Sequence, residues 1–300
     1  MKRIAHTLSP AAVVVSVLLV ACSVRPGSST GQISHPSGND LVLRVEYTGG
    51  FIAPAFRLTS FPTFTLTGDG RVIVPGAQIA LFPGPALPAV NERRLTAAGI
   101  QTVLKELAST GLFETSVEYR GARNVVADAP DTVFTLHADG RDVVVTVYAL
   151  GILDPTGNTQ GISAAELAAH RTLQQVVERL GNLDAWVPAG EWADSSWHPY
   201  QPEALRLLVR NADADPPDDT GIGNLLLDWP DSSDPAAFGN KTFDGEHQCA
   251  VVSGQRAKDW YGVLGTANQL TRFVKGEHRY EVTVRFQLPD EQPECPQPAA

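Results

Sequence analysis

The chain has 300 residues, 43% of them hydrophobic and 19% charged, with a formal net charge of −10. That balance describes a globular body rather than a disordered one. The acidic excess argues against nucleic acid as a partner and against electrostatic adhesion to anionic lipid. The length allows one large domain or two ordinary ones.

The first 21 residues read in zones. Lys2 and Arg3 are basic, and residues 11–20 are an apolar run broken only by Ser16. That run suits a signal peptide and is well short of the ~20 residues a spanning helix needs. It ends in Leu19-Val20-Ala21-Cys22. A large aliphatic three positions before a cysteine, with a small residue directly before it, resembles the lipobox of bacterial lipoproteins. The resemblance implies removal of residues 1–21 and lipidation of Cys22 with acyl chains such as palmitate. It also implies a place at the extracytoplasmic face of the cell membrane. Two acyl chains at ~0.8 kcal/mol per buried methylene make a stable anchor.

Residues 22–40 are rich in Ser, Gly and Pro and read as a flexible tether. Gly27-Ser28-Ser29-Thr30-Gly31 matches a G-x-S-x-G nucleophile pattern, but that motif needs a strand before it and a helix after it. With Cys22 assigned to lipid, Cys249 and Cys295 remain. An even pair in an exported protein is expected to form a disulfide, two free thiols being the alternative.

Alternation over residues 41–47 predicts a half-buried strand with Leu43 and Val45 on one face and Arg44 and Glu46 on the other. Two Asp-Gly hairpins follow, at Asp69-Gly70 and Asp139-Gly140, and share the pattern F-T-L-x-x-D-G-R. A Pro-rich loop over 75–88 lies between them. Thr96 as N-cap, Gly111 as terminator and the stripe Ile100, Val103, Leu104, Leu107 predict a helix over 96–110. Ser163 and Glu166 form a capping-box pattern opening a second helix that ends at Gly181. Residues 184–203 read as a connector. Strands are expected at 205–210, 224–229, 248–252 and 279–288, with a helix over 256–270. The expected fold is α+β, antiparallel sheets with helices packed on one face. It divides into lobes 41–183 and 204–300.

The order from the first strand through the second hairpin, with Arg94-Leu95-Thr96 and Gly111-Leu112-Phe113, is similar to uncharacterised lipoproteins of high-GC Gram-positive bacteria. Arg well in excess of Lys agrees with such a genome. The similarity covers residues 41–180 and implies no functional residues.

Candidate sites are sparse. Asp213, Asp215, Asp218 and Asp219 are spaced for a hard cation, but Pro216 and Pro217 interrupt any EF-hand pattern, so a solvated turn is favoured. No histidine falls in a metal or nucleophile spacing. His170 is expected on the helix surface. His137 and His278 are the ones to inspect beside a Ser or carboxylate. All five tryptophans lie between 186 and 260. Packing is the favoured reading, and an exposed patch of Trp192, Trp197 and Tyr200 would point to a binding platform. The sequence therefore predicts a lipid-anchored envelope protein, non-enzymatic, with no cofactor and no metal. Its partners are the membrane, through Cys22, and an envelope component. A hydrolase acting on envelope material and a protein-inhibitor module are the alternatives.

Overall fold

The computed structural model describes residues 31–154, 157–216 and 221–295. Cys22, the signal segment and all but Gly31 of the G-x-S-x-G match lie outside the described residues, as do Asp218 and Asp219. Among the described residues no helix is long and apolar enough to cross a membrane. The chain divides between Gln32 and Ile33, and the strands and helices of the described residues lie in the second unit.

In chain order the elements are β1 (Leu41–Gly49), α1 (Pro54–Thr59), β2 (Phe64–Thr67), β3 (Arg71–Pro75), β4 (Val90–Arg94), α2 (Ala97–Ser109), β5 (Val117–Tyr119), β6 (Pro130–Ala138), β7 (Arg141–Tyr148), α3 (Ala164–Leu180) and β8 (His198–Pro199). Then come β9 (Ala204–Asn211), β10 (Leu226–Asp228), β11 (Asn240–Lys241), β12 (Gln248–Ser253), α4 (Gly254–Leu264), β13 (Arg272–Lys275) and β14 (His278–Phe286). One sheet has the order β5-β7-β6-β1-β2-β3-β4-β8, the other β10-β13-β14-β9-β12-β11. All pairs are antiparallel except β5 with β7 and β10 with β13.

Local chemistry explains the clearest elements. The β6–β7 turn needs two residues at positive φ, and Asp139 (52°) and Gly140 (67°) supply them. Thr96 Oγ1 caps α2 by accepting from Gly99 N at 3.3 Å and also donates to Glu191 O at 3.0 Å. Ser163 caps α3 through Glu166 N at 3.1 Å. The Glu166 carboxylate accepts instead from Gly121 N at 2.6 Å, so only half of the expected capping box forms.

One face of the first sheet carries Leu43, Val45, Leu66, Phe134 and Leu136, packed against Leu104 and Leu107 of α2 and Leu173 and Val176 of α3. Each such side chain contributes about 1.5–3 kcal/mol when fully buried. His170 belongs to the inner side of α3 at 5% exposure, which corrects the expectation of a surface histidine. Ala169, His170, Leu173, Val176 and Leu180 together form the buried side of α3.

In the second sheet, Leu205, Leu207 and Val284 face Trp260 and Leu264 of α4, and Ile73 and Val90 of the first sheet join the same core. The opposite face carries Leu208 and Cys249, covered by Leu58 of α1. This sheet thus has helices on both faces, which corrects the one-face arrangement. Its strands are apolar at alternate positions on both sides, and each side needs cover. The described residues are mostly β with four α-helices.

The face of β1 that carries Arg44 and Glu46 is covered too. Arg44 Nη2 donates to both oxygens of Asp290, at 2.7 and 2.9 Å. Arg285, next to Arg206 across the β14–β9 pair, forms two bonds of 2.7 Å with Glu291. Burial, with repulsion from Arg285, brings the Arg206 guanidinium down to about 10. Burial also raises Glu46.

Several elements have no sequence signal. β4 reads Val-Asn-Glu-Arg-Arg and is held by its partners: Arg71 pairs with Glu92 at 3.0 Å, and the Arg93 guanidinium lies 4.0 Å from the Trp192 ring centre. β8, within the expected connector, pairs with β4 at the sheet edge. The helix expected over 256–270 stops at Leu264, with Gly265 as its cap. Residues 33–40, tether-like in composition, are bonded to the body through Ser34–Asp139 and Asp40–Gly68 backbone contacts.

Candidate functional site

A cavity of about 770 Å³ lies alongside α4. Ala257, Trp260 and Leu264 bury one stripe of that helix in the core. The neighbouring stripe, Lys258, Tyr261 and Gly262, is left to form one wall of the cleft. The other wall is Tyr200, Pro202, Leu288 and Pro289.

This second wall is held rigidly. Tyr200 donates its hydroxyl to Gln287 O at 2.7 Å, and burial pushes its phenol well above the ordinary range. Arg71 lies 5.7 Å from the Tyr200 ring centre and is itself paired with Glu92. Glu291 accepts from Leu288 N at 3.0 Å and clamps the turn that carries Pro289. Burial acts to raise the Glu291 carboxyl, but the bonds and charge of Arg285, the bond from Leu288 N and the charge of Arg44 together outweigh it and hold the group below its ordinary value. The charged groups of this wall are thus satisfied by the protein, and with Tyr200 and Leu288 themselves almost fully buried, the apolar surface offered to a ligand is mainly that of Pro202, Tyr261 and Pro289. Ser253, Lys258 and Glu203 are exposed at the rim, and Lys258 and Glu203 carry no ion pair among the described residues. The arrangement can sequester an apolar body and meet polar groups at its edge.

The residues singled out from sequence fall elsewhere. Cys249 and Cys295 form a disulfide with Cα atoms 6.0 Å apart, tying the C-terminal segment beneath α1. Asp213 receives His278 Nδ1 at 2.7 Å and Arg279 N at 2.7 Å, and these bonds lower it to about 2. Asp215 pairs with Arg210 at 2.6 Å and Arg272 at 3.3 Å. Both carboxylates are turned to protein cations. Trp192 and Tyr200 are buried at 8% and 2%, so the rings do not assemble an exposed platform and that reading is withdrawn. Trp192 and Trp197 pack edge to face at 5.8 Å.

His137 Nδ1 does lie beside a carboxylate, 2.5 Å from Asp142 Oδ1, and shares a cavity of about 340 Å³ with Ser34 and His35. The Ser34 hydroxyl bonds Asp139 Oδ1 at 3.3 Å. Among the described residues no serine or cysteine side chain bonds an imidazole, the contact a Ser–His nucleophile needs. His247 sits 2.8 Å from Asp244 in the turn before β12. Burial lowers the His170 imidazole, and its Nε2 has no partner among the described residues. The cleft beside α4 escapes sequence reasoning because its walls come from three distant segments. Tyr261 next to the core residue Trp260 was the one local sign of a second apolar stripe.

Comparison of the chain with protein-family models, with curated proteins and with solved structures finds no match.

Proposed function

We propose that this protein is a lipid-anchored envelope lipoprotein, held at the extracytoplasmic face through Cys22, whose acidic ectodomain binds an elongated, largely apolar ligand. The binding site is the cleft between α4 and the Tyr200–Pro202 and Leu288–Pro289 wall. The observation that carries this reading is the wall itself: a cavity of about 770 Å³ whose buried charges are already paired and whose free polar groups stand at the rim. The Cys249–Cys295 disulfide agrees with an oxidising compartment. The lipobox pattern supports the anchor.

Two experiments test it. Fractionation of cells expressing wild type and Cys22→Ser should find the first with membranes and the second released; retention of the variant on membranes removes the anchor. For the cleft, Gly262→Trp is the blocking variant, because a Cβ at Gly262 meets open space and the new ring would project into the cavity. Apolar molecules co-purifying from envelope extract should be found by mass spectrometry with wild type and be depleted at least tenfold with the variant. Equal recovery from both proteins overturns the cleft as the site.

A further inference from the structure

We infer that His35 and His137 form a second, independent site, which takes a borderline divalent metal ion of the Zn²⁺ or Cu²⁺ class through their two Nε2 atoms. Both rings line the cavity of about 340 Å³ at the end of the first sheet, where residues 33–38 cross the β6–β7 hairpin.

The backbone clamps the two segments together. Ser34 N donates to Asp139 Oδ1 at 2.8 Å, and Asp139 N donates to Ser34 O at 2.8 Å. His35 directly follows the first residue of this clamp, and His137 lies two positions before the second. The hairpin register sets His137 opposite Asp142.

The hydrogen bonds select the tautomer of both rings. His35 Nδ1 is 2.7 Å from Pro36 O. A carbonyl only accepts, so this nitrogen donates, and in the neutral ring the lone pair is on Nε2. His137 Nδ1 is 2.5 Å from Asp142 Oδ1, and a carboxylate imposes the same choice. Neither Nε2 has a partner among the described residues. A histidine whose Nδ1–H is held by a carbonyl or carboxylate, with a free Nε2, is the form in which imidazole binds metals. Imidazole pairs favour Zn²⁺, Cu²⁺ and Ni²⁺ over hard cations.

The charges around the cavity sum to a negative value. Arg141 lines it and is opposed by Asp139 at 3.9 Å, and Asp142 beside His137 adds a further negative charge. No group of three His, Cys, Asp or Glu side chains converges among the described residues. The ion would therefore keep water in its remaining positions, and its affinity would rest on two nitrogens.

The test is calorimetric titration of ZnCl₂ and CuCl₂ into the untagged full-length protein in detergent, with electron paramagnetic resonance of the Cu²⁺ form. One equivalent should bind, with nitrogen couplings in the copper spectrum. His35→Ala and His137→Ala should each weaken binding at least tenfold, Asp142→Asn should weaken it severalfold, and His278→Ala should leave it unchanged. Circular dichroism of each variant separates loss of the site from loss of the fold. Absence of binding to folded wild type, or loss in only one of the two histidine variants, overturns the site.

Discussion

The guanidinium of Arg44, on the central strand of the first sheet, is held by the carboxylate of Asp290, just beyond the last strand of the second, at 2.7 Å. Their side chains are only 13% and 10% exposed. The pair therefore joins the two sheets from within, and burial outweighs the attraction of Arg44 in raising the Asp290 carboxyl. Removing Asp290 leaves the buried Arg44 with only the more distant Glu291, at 4.0 Å; breaking a buried pair costs about 3–5 kcal/mol, whereas replacing both partners with apolar groups is often close to neutral. Asp290→Ala should lose about 3 kcal/mol in urea unfolding, and Arg44→Met with Asp290→Leu should recover most of it. Equal losses in the single and double variants would show that the pair does not act as a unit.

The Cys249–Cys295 bridge spans a sequence separation of 46. Closing a loop of that length stabilises by roughly 4 kcal/mol in the chain-entropy model. Cys249→Ser with Cys295→Ser, or mild reductant, should lower the urea midpoint accordingly. A midpoint unmoved by reductant would argue against the bridge.

Asp244 accepts from Thr242 Oγ1 at 2.6 Å, from the backbone N of Glu246 and of His247 at 3.0 Å each, and from His247 Nδ1 at 2.8 Å. Burial acts to raise it, but these bonds bring it from 3.8 to about 2. A folded value below the unfolded one gives stability that is fully present above about pH 4. That contribution is lost as pH falls toward 2. The gap in melting temperature between wild type and Asp244→Asn should therefore be wide at pH 7 and narrow at pH 2.5. A gap independent of pH would sink this account.

Two glycines should respond oppositely to alanine. Gly239 has φ of 83°, and a Cβ there would stand 2.0 Å from Cys249 O. Backbone strain and a main-chain clash together should cost roughly 3 kcal/mol or more. Gly262 lies inside α4 with nothing within 4 Å of its would-be Cβ. Gly262→Ala should stabilise by up to about 1 kcal/mol from helix propensity. Thermal melts of the two variants check both signs.

What was legible in the sequence is what neighbouring residues decide among themselves. Asp139 and Gly140 accept positive φ, so the second hairpin follows from two residues. Thr96 and Ser163 cap their helices because the amides they satisfy are three residues away. The alternation of Tyr280, Val284 and Phe286 marks β14, and two leftover cysteines imply a bridge. Tertiary structure decided the rest, because it depends on groups far apart in the chain. β4 is a strand of polar residues, possible only because Arg71 and Trp192 receive its charges. Arg44 and Glu46 look like an outer face and are covered by a tail more than two hundred residues away. His170 lies inside because the buried side of α3 includes Ala169 and His170 beside Leu173, Val176 and Leu180. Both cavities have this origin. The cleft needs α4, the Tyr200 segment and the Leu288 turn at once, and the two histidines face one pocket only because Ser34 is pinned to Asp139.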